Sequence, residues 1–278
     1  MEKYLGLLPN GEEISSVSNP ANTTDGSDTD DEPPSPAPYE PFKDLYKRRF
    51  LWYYESYLTA VEKGKTEIPD QTPFVITPFE HVGNQMGGKF DYSELERRLK
   101  KVKEYLDKET EGWAEQGKQL QKRMTLASDS MMRSFQQVVE EFKAQSQVTL
   151  DISLVDNNPF VWDLTYFGRP MTNLDGGLFK IFIYFSPRFP EEQPRIKFQT
   201  EMFHHRIALD GTLCYFPKNE NSQKSHVEGI IAALEDEEPP YDPRTLVNLK
   251  TSKLYWGGEA DRRTYHKRLR RAVQRSTE

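Results

Sequence analysis

Four short runs between Val148 and Phe198 set the tightest limit on what this chain can fold into. In each run apolar residues take every second position. They are Val148, Leu150, Ile152 and Leu154; Trp162, Leu164 and Tyr166; Phe179, Ile181, Ile183 and Phe185; and Ile196 and Phe198. Alternation with a period of two puts one set of side chains on one face of a strand, so each run reads as a half-buried strand. The links are short: Asn157-Asn158-Pro159 is a turn, and Gly168-Arg169-Pro170 and Asp175-Gly176-Gly177 bracket a loop. Links of this length suit an antiparallel meander and leave no room for crossover helices. Ahead of the strands, Met131, Met132, Phe135, Val138, Val139 and Phe142 recur at helical spacing from about Ser128. Behind them, helices are expected at 226–234, 245–253 and 259–274. One sheet covered by helices is an α+β layout.

The sequence upstream divides in two. Residues 1–41 are rich in Ser, Thr, Asp and Pro and carry too little apolar surface to offset chain entropy, so a disordered acidic tail is expected there. Ser27-Asp28-Thr29-Asp30-Asp31-Glu32 fits an acid-directed kinase, or simply keeps the tail soluble. Residues 42–127 form a helical extension. Leu45 to Val61 has apolar residues at helical spacing, with Gly64 as the expected stop, and the Pro- and Gly-rich stretch 68–88 is a loop. A second helix starts at Asp91 or Ser93 and carries the stripe Leu95, Leu99, Val102 and Leu106. The pair is expected to form a hairpin packed on the domain formed by residues 128–278.

Composition removes several classes of function. An apolar content of 36% and a mean hydropathy of -0.80 imply that part of the chain is solvated helix or tail. No apolar run reaches the roughly 20 residues a membrane helix needs, and Met1 to Asn10 lacks the pattern of a secretory signal. No membrane partner is expected, and cytoplasmic or nuclear residence follows. A net charge of -7 argues against a nucleic-acid partner, although the last seventeen residues are basic and read as a solvated helix face. A single cysteine, Cys214, excludes internal disulfides and multi-cysteine metal cages, so no metal is expected.

Cys214 has two readings from its own chemistry. It is an inert buried thiol, since a lone Cys behaves as a small hydrophobe. Alternatively it is a nucleophile, which needs access and a cation nearby to favour thiolate. His204, His205 and Arg206 are close in sequence and are candidates for that cation.

Several spaced motifs decide between them. Gly176-Gly177-Leu178-Phe179 precedes the third strand. Phe189-Pro190 and a later Pro194 follow it, then Arg195-Ile196-Lys197-Phe198. His204 lies ten residues before Cys214 in Gly211-Thr212-Leu213-Cys214-Tyr215, and Asp242-Pro243 follows the next helix. In this order and spacing, residues 128–278 resemble the ubiquitin-conjugating enzyme family. The resemblance implies the ubiquitin-conjugating fold, with Cys214 as a thioester-forming cysteine. It implies a transferase that accepts ubiquitin or a ubiquitin-like modifier from an activating enzyme and passes it to a substrate amine. No cofactor is implied, because ATP is used by the upstream activating enzyme. The site residues implied are Cys214, His204, Arg206 in place of the family's Asn, and Asp242, matched to an acidic residue that orients the attacking lysine.

The departures from the family are specific. His204-His205-Arg206 replaces the His-Pro-Asn box. Glu191 replaces an exposed aromatic, and the polar run 218–225 replaces a Trp-Ser-Pro loop. These changes imply a ligase outside the ordinary RING and HECT types. They also keep open the alternative of an inactive variant that binds modifier or serves as a scaffold. A cysteine hydrolase would require His204 or His226 as a base on Cys214.

Overall fold

The structure, a computed structural model, describes residues 42–75, 88–145, 150–239 and 247–278. The acidic tail 1–41, its Ser27–Glu32 acidic run and Asp242 lie outside the described residues. The described elements are α1 (Lys43–Glu67), α2 (Tyr92–Lys122), α3 (Leu126–Ala144), β1 (Leu150–Leu154), β2 (Val161–Phe167), β3 (Leu178–Tyr184), β4 (Arg195–Phe198), α4 (Gln223–Leu234), α5 (Leu249–Tyr255) and α6 (Glu259–Arg275). The sheet is a four-stranded antiparallel meander in the order β1-β2-β3-β4.

Register explains the core. Trp162 pairs with Ile183, Leu164 with Ile181 and Tyr166 with Phe179. All six point to one face and are fully buried. Helices α3, α4 and α6 cover that face through Met131, Val138, Phe142, Ile230, Leu234, Tyr265 and Leu269. The α+β class read from the alternation is the fold observed.

The two upstream helices form an antiparallel pair. Phe50 and Leu51 of α1 pack against Val102 and Leu106 of α2. Asp91 caps α2 by accepting from the Glu94 N–H at 2.8 Å, and Asp70 accepts from the Tyr92 N–H and the Ser93 hydroxyl. Gly64 does not stop α1 as its residue type suggests. It is buried inside the helix because the Tyr92 ring lies where a Cβ would stand.

Close approach also docks α2 on the sheet domain. A Cβ on Gly117 would meet Asn158 Oδ1 and the Phe160 side chain at 2.8 Å. Asn158 Nδ2 donates to the Ala114 carbonyl at 2.8 Å, closing the contact. The ring of Trp113 carries the Arg195 guanidinium 5.0 Å from its centroid. In an open helix Gly→Ala stabilises by about 1 kcal/mol. Here overpacking opposes it at about 1–3 kcal/mol. Gly117→Ala is therefore expected to lower stability by about 1 kcal/mol in urea unfolding, and a gain would contradict this docking.

Candidate active site

Cys214 is aimed by a small hairpin that follows β4. Isolated bridges join Ile207 to Leu213 and Lys197 to Thr212. The turn between them holds Asp210 and Gly211. Gly211 has φ +80° and sits where a Cβ would lie 2.7 Å from the Phe198 carbonyl oxygen, so only glycine fits. The Phe198 N–H donates to the Gly211 carbonyl at 2.8 Å, and the Cys214 N–H donates to the Arg206 carbonyl at 2.8 Å. Extended backbone then alternates side chains. Leu213 and Tyr215 enter the main core, and Cys214 faces the other way.

That other side is occupied. Cys214 is 2% exposed and clusters with Trp52, Ala208 and Val247, with Tyr53 against them. Trp52 and Tyr53 come from α1. The access that a nucleophilic reading requires is blocked here, because the upstream helix lies over the thiol.

Electrostatics at the thiol also differ from expectation. Burial pushes the Cys214 thiol up to about 11, although Arg206 and Arg49 both act to lower it. Neither neighbouring histidine supplies a cation. Burial holds His204 well below its ordinary value, and His205 and Arg206 nearby add to the effect. Burial also takes His205 down to about 4 despite Asp236 nearby. Neutral imidazoles cost less to bury than charged ones, so desolvation wins in all three groups. Arg206 alone of this triplet is a cation beside the sulfur, and it is already engaged. Its Nε donates to Asp236 Oδ2 at 2.7 Å, and its Nη2 pairs with the same oxygen.

His204 serves the loop. Its Nδ1 accepts the Arg206 N–H at 3.1 Å. His226 is bound to the Tyr215 hydroxyl through Nδ1 at 2.8 Å and lies 3.0 Å from the Glu220 carbonyl through Nε2. Both imidazoles are thus committed away from the thiol, which removes the base a cysteine hydrolase needs. The structure brings Cys214, Arg206 and His204 into one region. Asp242 is not among the described residues. Glu191 is exposed and pairs with Arg188 at 3.1 Å.

Two residues at the site were not singled out from sequence. Asn248 caps α5, accepting the Thr251 N–H, and its Nδ2 donates to the Ile207 carbonyl at 3.2 Å and the His204 carbonyl at 3.4 Å. It ties down the loop that carries Arg206. Asp236 anchors the Arg206 fork. Neither carries a local sequence signal, since each acts on a segment about thirty to forty residues away.

The profile of the ubiquitin-conjugating enzyme family matches residues 130–256, a span that holds the meander, the hairpin and Cys214. Ubiquitin-conjugating enzyme E2 2 of Neurospora crassa is 26% identical over 155 residues, which are 55% of this chain and 98% of that relative. Ubiquitin-conjugating enzyme E2 1 of Caenorhabditis elegans is 26% identical over 147 residues, 52% of this chain and 73% of that relative. Residues 130–256 are thus a domain of the ubiquitin-conjugating enzyme family. The α1–α2 pair precedes the matched span.

The buried histidines give a pH dependence with a definite sign. His204, His205 and His226 all have depressed values in the folded state, mainly from burial. The unfolded chain therefore binds protons first on acidification. Their contribution is complete above about pH 6.5 and is lost as pH falls toward 4. From pH 7 to 5 the unfolding free energy should drop by at most about 2 kcal/mol per histidine. Urea unfolding at the two pH values reads the drop, and a flat profile would show that these imidazoles charge freely when folded.

Proposed function

We propose that this protein carries ubiquitin or a ubiquitin-like modifier as a thioester on Cys214 and transfers it to a substrate amine. The observation that carries the reading is the placement of Cys214. It leaves a glycine-locked hairpin inside the family-matched span, ten residues after His204. In loading, the Cys214 sulfur attacks the carbonyl carbon of the modifier's thioester on an activating enzyme. The activating enzyme's thiol leaves and takes the proton. In discharge, a substrate amine attacks the new thioester and the Cys214 thiol is released. The chemistry asks for no metal or organic cofactor on this chain, since ATP is consumed upstream. Partners on this reading are the modifier, an activating enzyme and a ligase suited to the Glu191 surface. Residence is cytoplasmic or nuclear.

Each half-reaction passes through a tetrahedral oxyanion. Arg206 is the charged donor beside the sulfur, and Asp236 fixes its fork, so we assign it the oxyanion. A second reading, a modifier-binding or scaffold protein without transfer, is favoured by one observation: the thiol is covered.

Incubation with activating enzyme, ATP and ubiquitin separates the two. A reductant-sensitive adduct is expected, with Cys214→Ser giving a reductant-resistant ester and Cys214→Ala giving none. Absence of an adduct with every modifier tried would leave the scaffold reading. Arg206→Ala is expected to slow discharge of the loaded protein to a small amine at least ~10-fold, in line with loss of one oxyanion donor. Discharge at the parent rate would remove Arg206 from the chemistry.

A further inference from the structure

We infer that the first turns of α1 are a lid on Cys214, and that the resting protein is held closed by a removable contact made by this chain itself. The meaning of the lid as a gate on acyl loading rests on the thioester reading; the covering does not.

The geometry makes the case. A thiolate attacks a carbonyl carbon only when the two approach to about 3–3.5 Å along an open trajectory. Cys214 is 2% exposed, and the indole of Trp52, 4% exposed, is packed in the same cluster. A modifier tail therefore has no line of approach while Trp52 is seated. The indole is held edge-on against Phe216, with ring centroids 5.5 Å apart at 75°. Arg49 spans both rings, 5.4 Å from the Trp52 centroid and 5.8 Å from that of Phe216.

Beside the apolar packing of Phe50 and Leu51 on α2, polar contacts fasten the lid at its leading end. Asp44 Oδ1 receives Arg195 Nη2 at 2.8 Å, joining α1 to β4. Arg48 Nη2 reaches Glu220 Oε1 at 3.2 Å, in the segment ahead of α4. Phe216 is itself 56% exposed, so one side of the aromatic contact already meets water. Glu220 is half exposed, so the Arg48–Glu220 tie contributes little, typically up to about 1 kcal/mol, and releases more readily than the nearly buried Asp44–Arg195 pair or the core beneath. The sheet core and the α2 docking at Gly117 use separate contacts and need not open with it.

Thiol labelling tests this directly, because Cys214 is the chain's sole cysteine and every count comes from one site. The native full chain is treated with a maleimide at fixed pH, without modifier or activating enzyme. Wild type is expected to react at least ~100-fold more slowly than the same chain in denaturant, through local opening whose rate changes little with low urea. Trp52→Ala should react ~10-fold or more faster than wild type while keeping its far-UV circular dichroism. Arg48→Glu, which sets a carboxylate against Glu220 and Asp44, should react several-fold faster. Adding Glu220→Arg to it should return the rate toward wild type, which a general loss of stability would not do. The lid is overturned if native wild type reacts at the denatured rate. It is equally overturned if its labelling tracks global unfolding in urea, or if Trp52→Ala and Arg48→Glu both react at the wild-type rate. Faster labelling in the variants with no thioester in any of them would sink the transferase reading and leave the lid standing.

Discussion

The direction in which Cys214 points depends on one close contact, the seating of Gly211 against the Phe198 carbonyl. A side chain at position 211 would push the hairpin off β4. With it would go the Ile207–Leu213 bridge and the alternation that sends Leu213 and Tyr215 inward and Cys214 outward. Charge supports the same turn from two sides. Burial alone would raise the Asp210 carboxyl. The Lys197 ammonium at 2.7 Å, Lys103 of α2 and the Thr212 N–H instead hold it well below the usual carboxylate range. The upstream helix pair is thus joined to the cysteine hairpin electrostatically through Lys103, as well as sterically through Trp52.

Much of the sheet was legible because its signal is local. Trp162, Leu164 and Tyr166 alternate over five residues, and every one faces the core. Helix ends were less so. Gly64 reads as a stop by propensity, but tertiary packing against Tyr92 makes a small residue necessary there. At the site, the spacing of His204 to Cys214 located the hairpin, because both residues sit on one short segment. What the sequence could not display was the company of the thiol. Trp52 lies 162 positions before Cys214, and the helix bearing it has the same apolar periodicity whether it packs on a sheet, a partner or a thiol. Asp236 and Asn248 were missed for a related reason. An Asp among acidic neighbours and an Asn at a helix start both have sufficient local explanations.

Charge state was the other illegible quantity. A cluster of His, His and Arg reads as a source of positive charge, yet His204 and His205 are buried and neutral. Formal composition does not know about desolvation. Moving a thiol from its ordinary value near 9 to about 11 makes the thiolate roughly 3 kcal/mol less favourable. Two guanidinium groups nearby, Arg206 and Arg49, do not recover that amount, and Arg206 is also drawn on by Asp236.

This balance ties access to reactivity. The apolar cover that denies a substrate its approach also raises the thiol, because the indole of Trp52 replaces water around the sulfur. Lifting it would do two things at once. The sulfur would be open to attack, and rehydration would remove the largest effect opposing thiolate while Arg206, held from below by Asp236, stays in place. The cover and one favouring cation, Arg49, belong to α1, and the other cation, Arg206, is on the loop tied by Asn248, so lifting α1 would remove the burial and Arg49 but keep Arg206. On the proposed thioester reading, uncovering the thiol would itself be the activating step. A thiol poised at low pKa in an open cleft would be exposed to oxidation and stray acylation between turnovers. A covered thiol is protected from both until the helix moves.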